Sequence, residues 1–113
     1  MTDVIQVITT TGSREEAQKI AQALVERRLA ACVQVAGPIS STYRWQGKIE
    51  TSDEWVCIAK TRATHYSSLE RAIRELHSYE VPEILAIEVV AGSRTYLDWL
   101  AGELIDLSGP EIA

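Results

Sequence analysis

The sequence predicts an α+β fold, a four-stranded antiparallel sheet in the order β-α-β-β-α-β with an additional C-terminal helix. Three observations carry this. Short runs rich in β-branched residues, "VIQVIT" at residues 4–9 and "EILAIEVV" at 83–90, lie towards the two ends of the chain. Two stretches repeat apolar residues at i, i+3, i+4 and i+7, one after the first run and one before the last. Between them, "AACVQVAGPISSTYRWQGKIE" and "EWVCIAKTR" read as two extended segments joined by a turn. Helical crossovers on either side of one hairpin give the ferredoxin-like split β-α-β arrangement.

Taken in order, the first strand is short enough to be largely buried. Ser13 and Glu16 have capping-box spacing, and Ala17, Ile20, Ala21 and Leu24 form the apolar stripe of a helix over about 14–28. The second strand is long and kinked at Gly37-Pro38, where a residue without an N–H suits an edge or a bulge. A turn around 47–53 leads to a third strand with Val56 and Ile58 on one face and Trp55, Cys57 and Ala59 on the other. Ser67 and Glu70 are placed to cap a second helix with Leu69, Ala72, Ile73 and Leu76 inside, ended ahead of Pro82. Leu97, Leu100, Ala101 and Leu104 give the closing helix its buried side. Residues 1–107 form the domain, and 108–113 a frayed tail.

With 113 residues the chain is one domain with a sizeable core, and 46% hydrophobic against 24% charged residues marks a folded protein. A net charge of −5 without a basic run disfavours nucleic acid, and no apolar run reaches the roughly 20 residues that span a bilayer. The N-terminus lacks a signal-peptide layout, so a cytoplasmic protein is expected. Cys32 and Cys57 form no CxxC pair. A hairpin turning near residue 50 would set Cys57 opposite the Tyr43 region, out of disulfide reach of Cys32.

Helices on one face would leave the other uncovered, yet the strands are apolar at both parities: Ile5 and Val7 against Val4 and Ile8, Leu85 and Ile87 against Ile84 and Val90. Self-association would cover it. In "YRWQGKIE", residues 43–50, Tyr43 and Trp45 alternate onto one strand face and Arg44 onto the other, which makes the two aromatics candidates for a subunit interface.

The blocks "LVERRLAACVQV", "YRWQGKIE", "IAKTR", "LHSYEVPEI" and "YLDWL", in this order, resemble the CutA divalent-cation tolerance family, and the resemblance covers residues from about 5 to 104. The resemblance implies a ferredoxin-like subunit in a tight homotrimer, built through sheet faces and the long second and third strands and structurally akin to the PII signalling trimers. It further implies a link to tolerance of copper or other divalent cations and to metal binding, with Cu(II) or another divalent cation as ligand. Some family members carry a Cys in the first strand and a His-His pair after the second helix. Here those positions are Thr9 and Leu76-His77.

His77 and Cys32 are the residues best suited to a soft metal. The competing reading makes Cys32 a small strand residue and His77 a helix end, since a site needs three or four ligands. Glu54, Glu80, Glu83 and Glu88 lack the spacing of a calcium loop and read as surface carboxylates. Lys60 with Tyr79, Glu80 and Glu83 is a candidate ligand pocket near a subunit boundary, by analogy with the PII clefts, and would suit a small anionic metabolite.

No nucleophile motif is present, so no enzyme is expected. Acylphosphatases share the fold class, but "TTGSREE" puts acids where their phosphate loop would be. RNA-recognition domains share it too, and "EWVCIAKTR" lacks their basic and aromatic third-strand signature.

Overall fold

The computed structural model describes residues 2–107; the tail expected at 108–113 lies outside the described residues. The elements are β1 (Val4–Thr11), α1 (Arg14–Glu26), β2 (Cys32–Trp45), β3 (Lys48–Arg62), a short 3-10 turn (Ala63–His65), α2 (Tyr66–Leu76), β4 (Leu85–Glu88) and α3 (Arg94–Glu103). The sheet order is β2-β3-β1-β4 with every pairing antiparallel, the split β-α-β topology expected.

Strand parity divides the side chains between two faces. Ile5 and Val7 of β1 and Ala59 of β3 meet Ile20 and Leu24 of α1 and Leu69, Ala72 and Ile73 of α2 in the main core. Val4, pointing the other way, packs with Leu100 within α3 and Leu104 just beyond it, joined by Leu97, Ala31 and Val89. The helices therefore do not all share one face: α3 covers one end of the second. Its closing segment is fastened there by Arg28, whose guanidinium donates to the carbonyls of Glu103 and Gly102, and by His65, whose Nε2 lies 2.7 Å from the Ile105 carbonyl.

The rest of the second face stays open. Ile8 pairs with Ile58 on one side and Leu85 on the other, so all three side chains share it, with Val56 two positions along β3. Leu85 and Ile87 are 58% and 51% exposed. The fourth strand is shorter than the eight residues expected, and none of Leu85–Glu88 is buried.

Several local expectations are corrected. The hairpin turns at Gln46 and Gly47, both at positive φ, so β3 begins at Lys48 and not near residue 54. As a result Cys57 lies opposite Val35, and Tyr43 opposite Glu50. The bulge falls between Ala36 and Ile39, at the expected Gly37-Pro38. Gly37 is required by close approach, because a Cβ there would lie 2.5 Å from the Trp55 ring. Ser13 caps α1 as expected, accepting from the Glu16 N–H, whereas α2 follows the 3-10 turn and Ser67 caps nothing.

Candidate functional site: the groove under the hairpin

The pairing of β1 with β3 ends at Thr11 and Trp55, so residues 39–45 and 48–54 run on as a two-stranded ribbon. Where the ribbon leaves the sheet, its second-face side chains and the loop after α2 enclose a cavity of about 690 Å³. Tyr43, Trp45 and Glu54 line it from the ribbon and Tyr79, Glu80 and Glu83 from the loop, with Thr10, Ser41, Thr42, Val81 and Pro82 completing the wall.

A chain of polar contacts holds the loop in place. His77, its side chain fully buried, donates from Nε2 to the Thr10 carbonyl at 2.7 Å and accepts the Tyr79 N–H at Nδ1 at 3.1 Å. The Glu16 carboxylate accepts both the N–H and the hydroxyl of Ser78, at 2.7 and 3.0 Å. Tyr79, tilted against the His77 ring, donates its hydroxyl to Glu54 Oε2 at 2.9 Å. Burial, followed by the hydrogen bond to Glu54 and its charge, raises the Tyr79 phenol well above its usual range, so it stays a donor.

Of the residues expected to form a ligand pocket, Tyr79, Glu80 and Glu83 come together and Lys60 does not. Lys60 lies further along β3, its ammonium 5.7 Å from the centroid of the Tyr96 ring on α3. Glu54, read as a surface carboxylate, is only 7% exposed. Nothing in a one-residue context distinguishes it from its neighbours; the hairpin register and the Tyr79 bond bury it.

His77 and Cys32 are not brought together. His77 reaches Thr10, opposite Val56, whereas Cys32 lies opposite Lys60, about 13 Å further along β3 at the usual strand rise. Both His77 nitrogens are engaged within the chain, which leaves no lone pair for a metal without breaking the loop anchor. Among the described residues no three His, Cys, Asp or Glu side chains are grouped to hold a metal ion. The chain's own residues at His77 and Cys32 therefore do not fit the soft-metal ligand implied by the resemblance.

The cysteines are free, and Cys57 is buried with its thiol 3.5 Å from the Ala17 carbonyl. Burial, aided by the charge of Glu16, pushes that thiol up to about 11. A thiol held in its protonated form is a poor nucleophile.

The sequence profile described as CutA1 divalent ion tolerance protein matches residues 5–103. The chain belongs to this family. It is 45% identical over 94 residues to the divalent-cation tolerance protein CutA of Thermus thermophilus, covering 83% of this chain and 91% of that one. The crystal structure of CutA from Xylella fastidiosa matches with a TM-score of 0.89 at 39% identity, over 92% of this chain and 100% of that one. A structure of the periplasmic divalent cation tolerance protein CutA from Archaeoglobus fulgidus matches with a TM-score of 0.86 at 38% identity, over 88% and 97%. Family membership accounts for the ferredoxin-like sheet and the closing helix, and its name is that of a tolerance protein, not of an enzyme.

Proposed function

We propose that this protein works as a homotrimer in the tolerance of divalent cations, copper among them, by binding or signalling in the cytoplasm and without enzymatic turnover. The observation that carries the reading is the open second face, where Ile8, Val56, Ile58, Leu85 and Ile87 form an apolar surface beside the short edge strand β4. An edge of this kind, with an apolar face behind it, pairs readily with another chain. The unpaired ribbon edge supplies a second strand surface, and Tyr43 and Trp45 are proposed as interface residues on it. A groove walled by interface aromatics lies at a subunit boundary.

His77 and Cys32 are not proposed as copper ligands, since both His77 nitrogens are engaged within the chain and Cys32 lies further along the sheet. A small anionic metabolite finds no support in the groove either, since Glu54, Glu80 and Glu83 line it and no Lys or Arg does. Among the described residues, no helix is long and apolar enough to cross a membrane.

Native mass spectrometry of protein exchanged into Cu(II), Zn(II) or Mg(II) reports subunit number and retained ions together. Three chains carrying ions are expected. A monomer that retains none of the three ions overturns the reading.

A further inference from the structure

Glu54 is a nearly buried carboxylate that no basic side chain meets among the described residues: its Oε2 accepts from Tyr79, and the residue lines the groove. Burying a charge without an opposite charge is costly, so such a group stands where a cation arrives. The walls around it specify what kind. Tyr43, Trp45 and Tyr79 present aromatic surface, Val81 and Pro82 add apolar contact, and Glu80 and Glu83 contribute two more carboxylates. An aromatic face attracts a cation through its ring quadrupole, most strongly where water is displaced, and aromatic cages with carboxylates suit ammonium groups.

From this we infer that the groove binds a small organic cation, a quaternary or protonated amine on a compact apolar body. A bare metal ion fits less well, because the three carboxylates are not grouped closely enough to share one. An organic cation spreads its charge over several atoms and can be faced by carboxylates that stand apart. A cavity of about 690 Å³ lies within the ordinary range for small-molecule sites. The chain's net charge of −5 draws cations towards it and anions away. This inference goes beyond the tolerance reading; in the proposed trimer the groove lies at a subunit boundary, where Tyr43 and Trp45 belong to both the groove wall and the interface.

The probe is choline, set against the uncharged alcohol in which a tert-butyl group replaces the trimethylammonium group, both titrated calorimetrically into the purified full chain. Choline is expected to saturate, and the neutral analogue to bind at least about tenfold more weakly. Glu54→Gln should lower choline affinity about tenfold or more with a melting curve that remains cooperative. Should Glu54→Gln fail to fold, the double variant Glu80→Gln/Glu83→Gln, at two exposed positions, is expected to weaken choline in the same way. Choline that does not saturate overturns the inference. So does a neutral analogue that binds as well, or a folded charge-neutralised variant whose choline affinity is unchanged.

Discussion

Tyr79 donates its hydroxyl to Glu54 Oε2 at 2.9 Å, which fastens the loop after α2 to the middle of β3 and closes one side of the groove. The bond joins residues 25 positions apart, and each end depends on a different element: Tyr79 on the His77 anchor, Glu54 on the hairpin register.

Tyr79→Phe leaves the ring and removes the donor. A hydrogen bond to a charged acceptor contributes about 2 kcal/mol, and its loss strands a carboxylate that water reaches poorly. Urea unfolding should show a destabilisation of about that size, and a change below about 0.5 kcal/mol would show that water replaces the phenol without cost.

His77→Ala is expected to cost about 3 kcal/mol, because it deletes a buried ring and leaves the Thr10 carbonyl and the Tyr79 N–H without their partners. Denaturant melts measure this directly. A variant as stable as the parent that had lost Cu(II) uptake in calorimetry would instead mark His77 as a metal ligand.

The Cys57 thiol gives the protein an alkaline limit. Its folded pKa is raised to about 11 from the usual 9.0. The stability it contributes is present below pH 9 and is lost as the pH rises through 11, because the unfolded chain releases the proton first. Two units correspond to at most about 3 kcal/mol. Thermal melts at pH 8 and pH 10.5 should show a drop that a Cys57→Ala variant lacks in part; an identical drop in both proteins would assign it to other groups.

Much of the fold was legible because its elements are amphipathic and separate: the stripes of α1 and α2, the β-branched β1 and the Gly37-Pro38 bulge all stand where the pattern places them. The misplaced start of β3 has a physical cause. Residues 48–53 lie in the ribbon beyond the pairing with β1, where no core demands alternation, so "KIETSD" carries no strand period. The site was half legible. Tyr79, Glu80 and Glu83 are neighbours in sequence and remain so in space, whereas Glu54 joins them only through the hairpin register, and Lys60 is carried away by the same register. That α3 turns onto the second face could not be read from its own stripe, which is apolar whichever face it meets.

Trp45, 42% exposed at the end of the ribbon, is expected to be covered in the assembly. Trp45→Ala should then cost about 2 kcal/mol per interface and make the melting midpoint depend more strongly on protein concentration. Differential scanning calorimetry over a range of concentrations checks this. A midpoint unchanged at every concentration would leave Trp45 to the groove alone.

The open second face is the centre of the functional reading, and its most direct test is the molar mass of the purified protein by light scattering during serial dilution to micromolar concentration. The mass expected is that of three chains of 12.5 kDa, held throughout, because the apolar surface around Ile8, Leu85 and Ile87 is then buried between subunits. A stable mass of 12.5 kDa at every concentration would contradict it.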